Sequence, residues 1–234
     1  MLKILMLKNY RVILAAAAFL VIATLLSILI FIYEPPIQGN IENPDDTLVL
    51  VNKANYLSSD YVPGDLIIPE VKCIKGIAAD EKKMREKAAK ALEELFASAS
   101  KEGMQLYCES GYRSFATQKK LYEWVKREKG EEYANKYCAL PGRSEHQTGL
   151  AMDITNIDHY DEENDKALGR MKEGLWLKNN AHRFGFILRY PEGRTNITGY
   201  NYEPWHFRYV GIEAATEIYN KGIVLEEYFE KSTQ

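Results

Sequence analysis

Four side chains that can take part in acid-base or metal chemistry occur in two short segments of the sequence. His146 and Asp153 lie on either side of Gly149, where a turn can bring them together, and Glu203 shortly precedes His206. Two imidazoles and one carboxylate leave a fourth tetrahedral position on Zn²⁺ for water, and Glu203 stays free to act as a base. The residue types therefore predict a hydrolytic metal site, although either pattern alone is also typical of a buried, hydrogen-bonded histidine.

The other two histidines are weaker candidates. His159 lies in the acid-rich segment IDHYDEEND, which is typical of a solvated loop. His182 precedes Arg183 near the end of a predicted helix, where a cationic or hydrogen-bonding side chain is favourable to the helix dipole. Neither is predicted to bind metal.

Amphipathic and aromatic segments indicate the elements that must position these residues. Three segments predict helices: residues 81–99 capped by Asp80, a helix capped by Ser114, and residues 172–183 ending before Gly185. Residues 186–190 and 205–210 are short, aromatic and β-branched, as expected of strands. The mixture predicts an α+β fold with a small, mainly antiparallel sheet and packed helices.

Composition limits the class of protein. A chain of 234 residues with 46% hydrophobic residues suits one globular domain plus an appendage, and its net charge of -3 without a dense basic run argues against nucleic acid as a partner. Three cysteines without C-x-x-C spacing predict neither a disulfide framework nor a thiolate metal site. Cys108 is interpreted as a small buried hydrophobic residue, and a bridge between Cys108 and Cys138 stays open.

Residues 12–33 contain no charged side chain and are long enough to span a bilayer. Basic Lys3, Lys8 and Arg11 precede this run, so the N-terminus is predicted to stay in the cytoplasm. A cleavable signal peptide is the alternative, but the length of the run and the lack of an A-x-A-like site favour an uncleaved anchor. We expect a cytoplasmic tail (1–11), one transmembrane helix (12–33), an extracytoplasmic linker (34–46) and an extracytoplasmic domain (47–234).

Three motifs carry a family resemblance. They are SGYRS at 110–114 with Gln118 after it, SEHQTGLAMD at 144–153 and EPWHFRYVG at 203–211. In order and spacing they resemble the VanY-type D-alanyl-D-alanine carboxypeptidases, zinc peptidases of the lysostaphin, D-Ala-D-Ala carboxypeptidase and Hedgehog superfamily. The resemblance covers about residues 48–228.

The resemblance implies the fold of that superfamily and a role for each matched residue. The implied Zn²⁺ ligands are His146, Asp153 and His206, and the implied catalytic base is Glu203. Arg113 would meet the substrate or developing negative charge, while Gln118 and Ser144 would line the substrate cleft. The implied reaction removes the C-terminal D-Ala of peptidoglycan stem peptides.

Other readings remain open. Related enzymes include L,D-carboxypeptidases that act on tetrapeptide stems, as well as dipeptidases and cross-bridge endopeptidases. A wall-binding module that retains zinc without catalysis is a further alternative, and so is a membrane scaffold with packed histidines. The intact Glu203 argues against the wall-binding module, because a structural metal site needs no base beside an open coordination position.

Overall fold

The computed structural model describes Gly39 and residues 41–232. Its strands are β1 (Leu66–Ile67), β2 (Met84–Arg85), β3 (Tyr107–Ser110), β4 (Ala151–Thr155), β5 (Phe186–Leu188) and β6 (His206–Tyr209). Its helices are α1 (Glu86–Lys101), α2 (Phe115–Lys129), α3 (Glu131–Tyr137), α4 (Glu162–Ala167), α5 (Lys172–Asn180), α6 (Thr195–Thr198), α7 (Ile212–Lys221) and α8 (Leu225–Ser232). The predicted α+β class is confirmed.

The main sheet has four antiparallel strands in the order β3-β4-β6-β5, and β1 pairs with β2 separately. On β4, Asp153 lies opposite His206 of β6 and opposite Ser110 of β3, where the β3 register shifts after Cys108. Adjacent strands therefore bring residues from three distant parts of the sequence to one place.

Helix α1 packs its apolar stripe into the main core. Leu92 and Leu95 are fully buried there, together with Met152 and Ile154 of β4 and Phe207 of β6. Burying a large apolar side chain contributes roughly 1.5–3 kcal/mol relative to leaving it exposed. This packing supports the two central strands that carry the site.

The predicted start of the first helix is wrong. Asp80 begins only a short 3-10 turn to Lys82, and the α-helix begins at Glu86. Arg85 is extended because it pairs with Leu66 of β1 and its N–H donates to the Gly149 carbonyl. Tertiary pairing thus overrides a local capping signal.

The helix capped by Ser114, the helix ending before Gly185 and the two predicted strands are confirmed. The Ser114 hydroxyl accepts a hydrogen bond from the Thr117 N–H and caps α2. Helix α5 continues as a 3-10 turn to Phe184, and Gly185 follows with a left-handed φ of 82°. Strands β5 and β6 lie within the two segments predicted as strands.

The cysteine prediction is wrong. Cys73 and Cys108 form a disulfide with a Cα–Cα distance of 4.3 Å, whereas Cys138 is free and buried, so no Cys108–Cys138 bridge exists. The segment around Cys73 runs parallel to β3, with Cys108 N–H donating to the Lys72 carbonyl and Ile74 N–H donating to the Cys108 carbonyl. A cross-link over a separation of 35 residues contributes about 3–4 kcal/mol in the chain-entropy account.

The predicted transmembrane helix at residues 12–33 lies outside the described residues, as do the cytoplasmic tail and part of the linker, and these stay predictions. Within the described part of the chain, no helix combines the length and the apolar character needed to cross a membrane.

Candidate active site

The turn predicted at Gly149 brings His146 and Asp153 together. His146 lies in a 3-10 helix, Glu145–Thr148, which ends at Gly149 with a φ of 66°. A side chain at Gly149 would meet Leu66 Cδ2 at 2.7 Å, so both the backbone angle and the close approach require glycine. The chain then enters β4, which carries Asp153.

The three predicted metal ligands form one buried cluster. His146, Asp153 and His206 each offer one ligand atom, and these atoms lie within 4.8 Å of one another. His146 Nε2 is 3.3 Å from Asp153 Oδ2, and His206 Nδ1 is 3.0 Å from Asp153 Oδ1. One nitrogen of each ring therefore faces the carboxylate.

The other nitrogen of each imidazole has a partner that fixes the ring. His146 Nδ1 donates to the Gly111 carbonyl at 2.7 Å, and His206 Nε2 donates to Glu145 Oε2 at 3.2 Å. Metal-binding histidines commonly donate their second N–H to a carbonyl or carboxylate in this way. The rings are thus oriented to present His146 Nε2 and His206 Nδ1 as ligands.

The charges of the cluster suit a divalent cation. Burial by itself would raise the pKa of Asp153, but His146 and His206 hold that pKa well below its usual range. Burial and Arg113 lower the pKa of His146, which favours its neutral ring. Burial by itself would lower the pKa of His206, but hydrogen bonds to Asp153 and Glu145 raise it to about 9. Asp153 thus favours a positive charge at His206 Nδ1, and two imidazoles with one carboxylate are a donor set that Zn²⁺ accepts.

Glu203 lines the cleft beside this cluster and is buried. Burial is the main reason that its pKa is raised to about 8, and the charge of Asp153 adds to the rise. A carboxyl with a pKa near neutrality can both accept and donate a proton at physiological pH.

Arg113 follows β3 and reaches the same place. Its Nε donates to Ser110 Oγ at 3.1 Å, its Nη1 to Gln118 Oε1 at 2.9 Å and its Nη2 to Asp153 Oδ2 at 3.3 Å. A guanidinium has five N–H groups. The two that remain on Nη1 and Nη2 make no hydrogen bond to a described residue and are available as a fork of donors.

Gln118 and Ser144 both line the cleft and are buried. Gln118 also donates from Nε2 to the Ala139 carbonyl at 2.8 Å while its Oε1 accepts from Arg113. Gln118 therefore holds the guanidinium in place, a role that its sequence position did not indicate.

The cleft has a volume of about 510 Å³ and extends beyond the histidine cluster. Its lining also includes Glu109 and Asp165, together with the exposed aromatic side chains of Trp124 and Tyr160. Burial and the nearby Asp165 raise the pKa of Glu109 to about 9. The lining of the cleft therefore includes a pair of acids in which the protonated form of Glu109 is favoured.

The raised pKa of Glu109 predicts a pH-dependent stability. The folded protein holds this proton more tightly than the unfolded chain, so stability should fall as the pH rises from about 4.5 towards 9. In metal-free protein, Glu109→Gln should reduce the loss of melting temperature between pH 5 and pH 9 by more than about 2 °C, which corresponds to roughly 1 kcal/mol at this size. The exposed Glu123→Gln is the control, and an equal pH dependence in both variants would contradict the assignment.

Sequence reasoning missed a carboxylate and two arginines around His206. Glu145, Arg189 and Arg208 are all buried and interact directly. The position of Glu145 next to His146 was the one signal that it belongs to the site. Charged residues are mostly exposed in folded proteins, so the sequence alone predicts a surface position for all three.

The weaker histidine candidates are not in the cluster. The His159 side chain is 64% exposed and lies beside Asp158. His182 lies in the 3-10 turn after α5 and stacks on Tyr219 with ring centroids 3.8 Å apart.

Comparison with known proteins decides the family. A family model described as VanY, D-alanyl-D-alanine carboxypeptidase, matches residues 81–212. The chain belongs to the VanY family. The matched region contains all three motifs, and membership makes this VanY-family chain a peptidase.

Individual relatives agree with this assignment. YodJ of Bacillus subtilis is 46% identical to this VanY-family chain over 191 residues, which cover 82% of the chain and 70% of YodJ. The solved structure of the LdcB LD-carboxypeptidase matches with a TM-score of 0.76 and 45% identity, over 82% of this chain and 89% of that one. A mutant of the vancomycin-resistance D,D-pentapeptidase VanY in complex with Zn(II) matches with a TM-score of 0.61 and 36% identity. The match covers 78% of this chain and 98% of that chain.

Proposed function

We propose that the chain is a zinc-dependent carboxypeptidase that removes the C-terminal D-Ala of peptidoglycan stem peptides. The observation that carries the proposal is the convergence of a three-ligand cluster, a buried carboxyl and a guanidinium fork in one cleft. His146, Asp153 and His206 supply the ligands, Glu203 the carboxyl and Arg113 the fork.

Zinc is supported by the chemistry of the donor set and by the Zn(II) complex of the solved VanY relative. A Zn²⁺ ion held by these residues would polarise the scissile carbonyl and would lower the pKa of a bound water towards about 7. Gly111 and Glu145 keep the two imidazoles oriented, and Asp153 supplies negative charge. In the proposed mechanism, these residues hold and orient the groups that bind the metal.

Glu203 is proposed to take a proton from the attacking water and to pass it to the leaving amine. Its burial excludes bulk water, and its raised pKa suits both transfers. A non-catalytic wall-binding module would not require such a carboxyl beside the metal ligands.

Arg113 is proposed to bind the terminal carboxylate of the substrate. A planar guanidinium can pair with a carboxylate through two parallel N–H···O bonds, and Ser110 and Gln118 already hold this one in place. A terminal carboxylate at Arg113 would restrict cleavage to the last peptide bond, since longer chains lack that charge there.

L,D-carboxypeptidase activity on tetrapeptide stems is the second candidate. The similarity to the LdcB LD-carboxypeptidase, at 45% identity and a TM-score of 0.76, is the observation that favours it. The two activities differ in the residue before the scissile bond, whereas the metal ligands, Glu203 and Arg113 would serve both.

One assay tests the role of Arg113 and separates the two candidates. Full-length protein is incubated with pentapeptide and tetrapeptide stems as free acids and as C-terminal amides. The acids release alanine and the amides release alaninamide, so kcat/KM is measured for both from the shortened stem peptide, separated by chromatography. Amidation should lower kcat/KM about 10- to 100-fold, since a hydrogen bond to a charged group contributes about 1.5–3 kcal/mol. Faster cleavage of the pentapeptide acid assigns D,D activity, and faster cleavage of the tetrapeptide acid assigns L,D activity.

Arg113→Lys supplies the matched variant. Lysine keeps the charge but loses the planar pair of donors, so it should restore only part of the activity lost in Arg113→Ala. Equal wild-type rates on acid and amide would show that Arg113 does not bind the chain end.

A further inference from the structure

We infer that Glu226, in the C-terminal helix α8, positions the metal ligand His206 through Arg189 and Glu145. We call Glu145, Arg189, Arg208 and Glu226 the buried charge network. The inference rests on the proposed function, because it requires His206 to bind the metal.

The first step of the network is the contact between Glu145 and His206. Oε1 of Glu145 accepts from Arg189 Nε at 2.7 Å and from Arg208 Nη1 at 2.7 Å, and its Oε2 accepts from His206 Nε2 at 3.2 Å. The side chains of Glu145 and both arginines have no exposed surface. The two arginines therefore fix the carboxylate whose second oxygen orients the imidazole.

The second step reaches α8. Arg189 donates from Nη1 to Glu226 Oε2 at 2.8 Å and from Nη2 to Glu226 Oε1 at 2.6 Å. Asn52 also donates to Glu226 Oε1, at 3.2 Å. All three nitrogens of the Arg189 guanidinium are thus used by two carboxylates on opposite sides, so the position of one carboxylate affects the other.

The charges of the network balance. Two arginines and two glutamates sum to zero, so the network adds no net charge beside His206. Without the charge of Glu226 the same buried group would be positive, and a positive charge in a low-dielectric interior opposes the binding of a cation nearby. Glutamine would also replace one acceptor oxygen of Glu226 by an NH₂ donor, which would leave one Arg189 N–H facing a donor instead of an acceptor.

Glu226 lies beyond the region matched by the family model, which ends at residue 212. Arg208 extends the network to the other end of the domain, where its Nη2 donates to the carbonyls of Thr47 and Val49 at 3.0 and 2.7 Å. The chain segments at both ends of the described domain therefore contact the network that holds His206.

The experiment compares zinc affinity across matched variants of the full-length protein. Zinc dissociation constants are measured by competition with a chromophoric chelator for wild type, Glu145→Gln, Glu226→Gln and Glu227→Gln, and the metal-free melting temperature of each is recorded. Glu227 is the control, because it lies on the same helix and pairs with Arg194, whose side chain is 33% exposed. Its carboxylate accepts hydrogen bonds from Arg194 and from the Val224 N–H, and neither residue belongs to the network.

We expect Glu145→Gln to weaken zinc binding about 10- to 100-fold, which is the usual effect of removing a hydrogen-bond partner of a ligand. Glu226→Gln should weaken it by a smaller factor, and Glu227→Gln should leave it at the wild-type value. With Co²⁺ in place of zinc, the visible spectrum should change in Glu145→Gln and Glu226→Gln only, because the ligand field reports the orientation of His206. A purely structural role would lower the melting temperature without changing affinity or spectrum.

Glu226→Asp keeps the charge balance but shortens the reach, so its affinity should lie between those of wild type and Glu226→Gln. If Glu226→Gln does not fold, Glu226→Asp against Glu227→Asp makes the same comparison. Equal affinities in the Glu226 and Glu227 variants, while His206→Ala loses zinc, would overturn this inference alone. Unchanged zinc binding in His206→Ala would overturn the proposed metal site itself.

Discussion

Glu203→Gln should lower kcat by about 10²- to 10⁴-fold or more while the protein keeps its zinc, since general acid-base assistance has that size. Glutamine has nearly the same shape but can neither accept nor release the proton. Glu203 is not among the three residues whose ligand atoms converge, so the metal site should survive its replacement.

Two measurements decide the Glu203 result. Zinc content is determined by elemental analysis of the purified variant, and kcat is measured on the preferred stem peptide. Glu163→Gln is the control, because the Glu163 side chain is 89% exposed. Wild-type turnover in Glu203→Gln would remove Glu203 from the mechanism, whereas loss of zinc would make it part of the metal site.

Replacing any one metal ligand by alanine should have the second large effect. His146→Ala, Asp153→Ala and His206→Ala should each weaken zinc binding by more than about 100-fold, because a direct ligand should matter more than its hydrogen-bond partners. The cluster offers one atom from each residue, so two remaining ligands leave the ion more solvated. Activity should disappear with the metal.

A chelator supplies the complementary test. Wild-type protein treated with a chelator and dialysed should be inactive and should regain activity when zinc is added back. His159→Ala is the matched histidine control, since its side chain is 64% exposed and lies outside the cluster. Full zinc occupancy in all three alanine variants would refute the ligand assignment.

Much of the fold follows from local patterns. The cap at Ser114, the helix end before Gly185 and the strands around Phe186 and His206 depend on short-range signals, and the structure confirms them. The start of α1 was wrong because Arg85 is held in a strand pair by residues distant in sequence. Long-range pairing of this kind leaves no local signal.

The candidate active site likewise contains residues that the sequence could predict and residues that it could not. The cluster of His146, Asp153 and His206 could be predicted because its motifs specify residue types and order, and the structure brings the three together. The residues that pair behind these ligands could not be predicted. Arg189 and Glu226 are common residue types in unremarkable segments, and only the fold shows that Arg189 is fully buried and pairs with the largely buried Glu226.

The Cys73–Cys108 disulfide also has a consequence for association between chains. Strand β3 lies at the edge of the main sheet, where unpaired backbone groups can recruit a strand from another molecule. The backbone beside Cys73 already satisfies the N–H and carbonyl of Cys108, and the covalent bond holds it there. An oxidising compartment therefore protects this edge from intermolecular strand pairing, and a reducing one would leave the protection to two hydrogen bonds.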